Sequence, residues 1–166
     1  SAVSSLSVLA SNIYFLSILV VLGAAFAFLK DKKRGKLFVI AIILALALNF
    51  VFTEAVVKGF PDEIFRERPY AAHPDLISLK GEYFSDSSFP SSHVAALAAV
   101  FTAAICFYRK FWPVALAGTA FIGLSRMING AHYFSDVLAG VSFGILYGLV
   151  AFFVVDYAGR RLLMGK

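Results

Sequence analysis

Charged residues and cysteine are both scarce in this chain of 166 residues. Only 15% of the residues are charged, against about 25% in an average soluble domain. At the same time 60% are hydrophobic and the mean hydropathy is +0.83, which excludes an ordinary water-soluble domain and indicates a membrane protein. The single cysteine, Cys106, lies in an apolar run, so an internal disulfide and a cysteine metal cluster are both excluded.

Five long apolar runs predict an all-α integral membrane bundle of about five transmembrane helices. A helix that crosses the bilayer needs roughly 20 mostly apolar residues. The first, second and fifth runs reach that length alone, whereas the third and fourth also need their polar flanks, residues 90–93 and 125–130. The runs cover residues 11–29, 37–57, 94–108, 111–124 and 137–155.

One connection, over about residues 58–91, is much longer than the others. Loops of this length inside a compact domain are usually functional or disordered. We therefore expect a single membrane-embedded domain over residues 1–166 with one long extracytoplasmic loop. The weakly apolar stretch before Ser11 is expected either to lengthen the first helix or to form a short surface helix. The chain shows no basic leader with a small-residue cleavage site, so we expect no removable signal peptide.

The basic residues are distributed unequally between the two membrane faces. In a five-span topology, ten of the 15 lysines and arginines share one face. Because Lys and Arg accumulate in short cytoplasmic loops, we predict that this face is cytoplasmic, with the N-terminus outside and the C-terminus inside. The ten are Lys30, Lys32, Lys33, Arg34, Lys36, Arg109, Lys110, Arg160, Arg161 and Lys166.

Three polar clusters interrupt the apolar chain, and the predicted topology places all three on the outer face. Nothing in their separations along the chain requires this agreement, so it supports a single site. The clusters are Arg66-Glu67-Arg68-Pro69 with Lys58 upstream, Phe89-Pro90-Ser91-Ser92-His93, and Ser125-Arg126 followed by His132 and Asp136.

The histidines and the serines suit reaction at a phosphate group. His132 and Asp136 are four residues apart, so a helical turn would place an orienting carboxylate beside an imidazole that acts as nucleophile or general base. The segment around Ser91 resembles a helix start with serine as N-cap, and a helix N-terminus binds phosphate readily. His93, close to that anion site in sequence, can protonate a leaving oxygen.

The cations in the clusters suit the charge of phosphate. Arg68 and Arg126 can hold phosphate oxygens bidentately, and Lys58 can add a point charge. With only three histidines and no ligand-like spacing among the acids, we expect no metal or other cofactor. His73, in the long loop, is expected to be a surface residue. No nucleic-acid motif is present, so the expected partners are the bilayer and a membrane lipid.

In these motifs the chain resembles the type 2 phosphatidic acid phosphatase family, whose soluble relatives include vanadium haloperoxidases. The family pattern is Lys-x6-Arg-Pro, then Pro-Ser-Gly-His, then Ser-Arg-x5-His-x3-Asp. The third motif is matched fully, and in the second Ser92 replaces the glycine. In the first, Arg68-Pro69 matches, but Pro61 occupies the lysine position. Either Lys58, with nine intervening residues, or Arg66 takes that role, and Lys58 is favoured.

The resemblance implies a metal-independent lipid phosphatase that forms a phosphohistidine. His132 would be the nucleophile, Asp136 would orient it, and His93 would be the general acid. The implied substrates are polyprenyl diphosphate, phosphatidylglycerol phosphate, phosphatidic acid or the 1-phosphate of lipid A. Phosphate would be held by Lys58, Arg68, Ser91, Ser92 and Arg126.

Two other functions stay open at the level of sequence. A haloperoxidase-like oxidation fits the same pocket, but the relatives with that activity are soluble and this chain has five apolar spans. A non-enzymatic phosphate- or lipid-binding membrane protein would not need both histidines and the aspartate. We therefore expect a phosphatase of a bacterial or archaeal plasma membrane with its site on the extracytoplasmic face. The sequence does not determine the headgroup or the oligomeric state.

Overall fold

The computed structural model describes Val8 and residues 12–59, 65–80 and 83–164. This part of the chain is helical and contains no β-strand. Apart from Val8, the stretch before Ser11 lies outside it, and so does the surface helix predicted there. The helices are α1 (Ile13–Lys30), α2 (Lys32–Leu48) continued by a π-helix (Asn49–Val57), α3 (Pro69–Ala72), α4 (Ser92–Phe107), α5 (Trp112–Ile128) and α6 (Phe134–Met164).

All five predicted spans are helices, which confirms the predicted all-α architecture. Among the described residues, three stretches are long and apolar enough to cross a membrane: Lys32–Ala55, Arg109–Ile128 and Phe134–Arg161. Helices α1 and α4 are apolar but shorter. The apolar runs therefore determine where the helices lie, because a backbone inside a bilayer must satisfy its hydrogen bonds within the helix.

Polar side chains mark where the first two helices begin. The Asn12 side chain caps α1 by accepting hydrogen bonds from the backbone N–H groups of Tyr14 (2.9 Å) and Phe15 (3.1 Å). Asp31 separates α1 from α2 and caps the second helix by accepting from the Arg34 backbone N–H at 3.0 Å. A one-residue connection of this kind makes α1 and α2 antiparallel neighbours.

Helices α4 and α6 pack closest together in the described bundle because three glycines of α6 lie against the α4 backbone. A Cβ on Gly140 would lie 2.6 Å from the Ser91 carbonyl oxygen, and one on Gly148 would lie 2.5 Å from the Ala99 oxygen. Gly144, between them, faces α4 in the same way. Small residues at four-residue intervals let membrane helices approach closely. This contact brings the second and third motifs together.

The π-helix at the end of α2 brings Lys58 to the same end of the bundle. Thr53 is fully buried in it, and its hydroxyl lies 3.1 Å from the Tyr147 hydroxyl of α6. The Lys58 N–H closes the segment by donating to the Thr53 carbonyl at 3.1 Å. Wide helical turns of this type are frequent at functional sites.

Backbone hydrogen bonds tie the connecting segments together at the end of the bundle where the motifs lie. The turn after α5 needs Gly130, whose φ is +72°, a conformation that residues with a Cβ rarely adopt. This turn directs the chain inward towards His132. The bonds are Ser91 N–H to Asp136 O (3.1 Å), Tyr70 N–H to Gly130 O (3.2 Å), Lys80 N–H to Asn129 O (3.1 Å) and Ser88 N–H to Arg66 O (2.8 Å).

Candidate active site

His132 lies in the short connection between α5 and α6, with 3% of its surface exposed. Its Nδ1 is 2.8 Å from the carbonyl oxygen of Ser88, which can only accept, so Nδ1 carries the hydrogen. Its Nε2 faces two guanidinium groups, 3.2 Å from Arg68 Nη1 and 3.5 Å from Arg126 Nη2. The lone pair of the neutral imidazole therefore points at a doubly cationic position.

The surroundings of His132 keep its ring neutral. Burial, and then the positive charges of Arg126 and Arg68, lower the pKa of His132 to about 2. The hydrogen bond to Ser88 opposes this shift but does not overcome it. At neutral pH the Nε2 atom consequently keeps the electron pair that a nucleophile needs.

Asp136 is fully buried in the first turn of α6. Its carboxylate accepts hydrogen bonds from the Ser88 hydroxyl at 2.6 Å and from the Tyr133 backbone N–H at 2.9 Å. It also pairs with Arg66 Nη1 at 2.7 Å. These partners compensate for the cost of burying the charge.

The relation between His132 and Asp136 differs from the predicted one. The two residues do not share a helical turn, because α6 begins at Phe134 and His132 precedes it. Asp136 Oδ2 is 3.9 Å from His132 Nδ1, beyond hydrogen-bonding distance. Ser88 links the pair instead, since its carbonyl accepts from the imidazole while its hydroxyl donates to the carboxylate.

Lys58 and Arg68 are brought together by a shared carboxylate. Lys58 Nζ lies 2.6 Å from Asp86 Oδ2, and Arg68 Nη2 lies 2.7 Å from Asp86 Oδ1. Lys58 also lies 3.5 Å from Glu54. Burial alone would raise the pKa of Asp86, but the hydrogen bonds and charges of Lys58 and Arg68 outweigh it and lower that pKa. The Asp86 carboxylate is therefore ionised at neutral pH.

Arg66, the alternative cation of the first motif, occupies a different position. Its Nη1 binds the Ser135 hydroxyl at 2.6 Å in addition to Asp136. Its guanidinium carbon stacks 4.0 Å from the centre of the Tyr133 ring. Arg66 thus contacts the buried carboxylate, whereas Lys58 lies beside the arginine that faces His132.

The second motif forms the start of α4, as predicted, but without a side-chain cap. Ser91 is the N-cap residue and makes no capping hydrogen bond through its side chain. The Oγ atoms of Ser91 and Ser92 are buried and have no hydrogen-bond partner in the described part of the chain. The first backbone N–H groups of any helix also lack an intrahelical acceptor. Several donors are therefore available to an anion at this helix end.

The aromatic ring of Phe84 lies among the motif residues. Its centre is 4.8 Å from the Arg68 guanidinium carbon, 5.3 Å from that of Arg126 and 6.2 Å from the ring centre of His93. The charges of these arginines and of Lys58 act on both His93 and His132. The structure thus places all three motifs around one volume.

Several residues of this site could not be predicted from the sequence. Phe84, Asp86 and Ser88 all lie in the long loop, and the only available signal was that they shortly precede His93. Tyr70 also belongs here, because its hydroxyl donates to the Phe84 carbonyl and accepts from the Phe84 N–H at 3.1 Å.

Two further residues singled out in the sequence, His73 and Ser125, have clear positions in the structure. His73 is exposed, as predicted. The Ser125 hydroxyl donates to the Ile122 carbonyl at 2.8 Å within α5, as a packing residue would. Among the residues that the structure describes, no group of three or more His, Cys, Asp or Glu could hold a metal ion.

Residues 34–160 match the family model of the PAP2 superfamily, which covers well over half of the chain. The chain belongs to the PAP2 superfamily. The resemblance drawn from the three motifs is thereby confirmed. All three motifs lie within the matched residues.

Two curated PAP2 relatives carry the names of lipid phosphatases. The chain is 30% identical over 118 residues to a lipid A 1-phosphatase of Rhizobium etli, with 66% of this chain and 51% of the relative covered. It is 31% identical over 111 residues to the undecaprenyl-diphosphatase BcrC of Bacillus subtilis, with 66% and 52% covered. The chain therefore spans about half the length of these relatives.

A solved structure supports the membrane fold. The first transmembrane PAP2 type phosphatidylglycerolphosphate phosphatase from Bacillus subtilis resembles this chain with a TM-score of 0.63 and 25% identity. The similarity covers 96% of this chain and 76% of that one. Together with the long apolar helices, it identifies this PAP2 chain as an integral membrane protein.

Proposed function

We propose that this PAP2 chain hydrolyses a phosphomonoester or diphosphate of a membrane lipid, without a metal, through a phosphohistidine on His132. One observation carries the proposal: the lone pair of a neutral His132 Nε2 points at a position bounded by Arg68 and Arg126. Phosphoryl transfer needs in-line positioning and stabilisation of charge on the equatorial oxygens, which this arrangement supplies. The names of the relatives point the same way.

The first half of the reaction forms the phosphoenzyme. Nε2 of His132 attacks phosphorus, and the bond from phosphorus to the leaving oxygen breaks as His93 delivers a proton to that oxygen. His93 holds this proton because the negative charge of the bound phosphate offsets the charges of Arg126, Lys58 and Arg68 around its ring. The product imidazolium keeps its Nδ1 hydrogen on the Ser88 carbonyl, with the Asp136 carboxylate 3.9 Å away to stabilise the positive charge.

The second half releases phosphate. Water attacks phosphorus, His93 takes a proton from that water, and the bond from phosphorus to Nε2 breaks so that His132 recovers its electron pair. During both halves Arg68, Arg126 and Lys58 stabilise the phosphate oxygens. The orphan hydroxyls of Ser91 and Ser92 find acceptors in the same phosphate group.

The substrate lies in the outer leaflet of a bacterial or archaeal plasma membrane under this proposal. The excess of lysine and arginine at the opposite end of the bundle supports that orientation. Polyprenyl diphosphate and the 1-phosphate of lipid A are favoured by the names of the relatives, and phosphatidylglycerol phosphate by that of the structural neighbour. Phosphatidic acid is a further candidate.

The direct test is phosphate release by the purified protein in detergent, with excess chelator, across those four lipids. The wild type should release phosphate, and His132→Ala should release none while keeping the wild-type elution volume and helical content. His73→Ala is the matched control, because it removes an exposed histidine outside the site and should leave turnover unchanged.

Other results would redirect the proposal. Normal turnover by His132→Ala would refute the phosphohistidine, and turnover that requires added metal would refute metal independence. No release from any lipid by a folded wild type would favour the non-enzymatic binding role. Halide oxidation by a vanadate-loaded sample would favour the haloperoxidase-like reaction.

A further inference from the structure

The Asp86 carboxylate binds two of the cations that the proposed phosphate site needs, Lys58 and Arg68. The Asp86 oxygens lie 2.6 Å from Lys58 Nζ and 2.7 Å from Arg68 Nη2. The side chains of Lys58 and Arg68 are only 6% and 4% exposed, whereas that of Asp86 is 40% exposed. Asp86 is therefore the most exposed of the three side chains, and an anion that binds both cations must take the place of its carboxylate.

The hydrogen bonds of Arg68 show that substrate binding requires an exchange of partners. Its Nε donates to the Asp86 carbonyl (3.2 Å), and its Nη1 reaches the Ala131 carbonyl (3.1 Å) and His132 Nε2 (3.2 Å). Its Nη2 donates to the Asp86 carboxylate and, at 3.4 Å, to the Ser87 carbonyl. The shortest of these five bonds is the one to the Asp86 carboxylate. Among these five acceptors, only that carboxylate belongs to a partly exposed side chain.

The carboxylate can leave without a change in the loop backbone. The Asp86 carbonyl is held by Arg68 Nε, and the Ser88 N–H is held by the Arg66 carbonyl at 2.8 Å. These bonds fix the main chain after the Asp86 side chain, and the hydrogen bonds of the Phe84 carbonyl and N–H with the Tyr70 hydroxyl fix it before that side chain. Rotation of the Asp86 side chain into water is then enough to free Lys58 Nζ and Arg68 Nη2.

We propose that Asp86 competes with the substrate phosphate for Lys58 and Arg68, an inference that rests on the proposed function. A phosphomonoester or diphosphate brings more negative charge than the single carboxylate charge that it displaces. A phosphodiester headgroup brings one charge, as the carboxylate does, and gains little from the exchange. Asp86 thus raises the interaction free energy that an anion needs in order to bind Lys58 and Arg68, so that bulk phosphodiester lipids do not fill the site.

The test is the affinity of Asp86→Asn for two anions, inorganic phosphate and the monoanion dimethyl phosphate. Each is titrated calorimetrically into the purified protein in detergent at fixed ionic strength. Both should bind the variant about tenfold or more tightly than the wild type, because a charge-assisted hydrogen bond no longer has to be broken. Asp75→Asn, which removes an exposed acid of the same loop, should leave both affinities unchanged.

Two kinds of result would overturn the competition. One is equal or weaker anion binding by Asp86→Asn and by a second variant, Asp86→Ser, which would mean that the carboxylate holds the cations in place for substrate. The other is an absence of binding by wild type and variants alike. Because binding is measured without turnover, lipid hydrolysis with unchanged affinities refutes only the competition. Tighter binding without any hydrolysis refutes only the phosphatase.

Discussion

At the scale of single residues, the unresolved point in the sequence was which cation completes the first motif. Lys58 is separated from Arg68 by nine residues where the family pattern has six. The structure nevertheless places Lys58 beside Arg68 through Asp86, and it places Arg66 against Asp136. This geometry supports Lys58 as the phosphate ligand and Arg66 as a residue that positions the buried carboxylate.

This assignment predicts an order of effects for two alanine variants. Lys58→Ala should lower kcat/KM by about 10²–10³, the usual cost of losing a donor to developing charge. Arg66→Ala should lower it less, because Arg66 acts on the phosphate only through Asp136 and His132. Both values come from phosphate release with the best lipid of the panel. A larger fall in kcat/KM for Arg66→Ala than for Lys58→Ala would make Arg66 the phosphate ligand and Lys58 the positioning residue.

At the scale of the helices, the position of the second motif depends on the contact of α4 with α6. Gly144 lies in the middle of that contact, and any side chain there would collide with the Ala95 carbonyl. The two helices cannot move apart without moving the start of α4, where the Ser91 backbone N–H donates to the Asp136 carbonyl. The small residues of α6 are therefore part of the support for the site.

A matched pair of glycine substitutions tests this support. Gly144→Ala should destabilise the protein by about 1–3 kcal/mol, the usual cost of overpacking, and should lower its apparent unfolding temperature in detergent. Gly23→Ala in α1 should not, because nothing lies within 4 Å of the added Cβ. Equal unfolding temperatures for the two variants would show that α4 and α6 are not held in close contact.

At the scale of the whole molecule, the site and the basic connections lie at opposite ends of the helices. The site occupies the end of α2, the start of α4 and the turn from α5 to α6. The α1–α2 and α4–α5 connections, which carry Lys33 and Arg109 among others, lie at the other end. Because Lys and Arg accumulate on the cytoplasmic side, we expect the site to face outward.

Cysteine labelling in intact cells tests that orientation. In a Cys106→Ser background, Leu76→Cys should react with a membrane-impermeant maleimide, because Leu76 is 86% exposed in the loop beside the site. Lys33→Cys, also exposed, should react only after the cells are permeabilised. The opposite pattern would place the site on the cytoplasmic face.

The sequence alone determined the helices and most of the candidate chemical groups. Hydropathy identifies the spans because only a helix satisfies its own backbone inside lipid. Polar residues in such a chain are costly, so Arg126, His132 and Asp136 could be recognised as candidate functional residues.

Only the tertiary structure decided how these groups are connected. Ser88, not a shared helical turn, links His132 to Asp136, and Asp86 joins Lys58 to Arg68. Both linking residues lie in a loop without hydrophobic periodicity. Their partners are 18 to 48 residues away along the chain. Contacts of that separation depend on how the helices pack, which no local pattern of residues encodes.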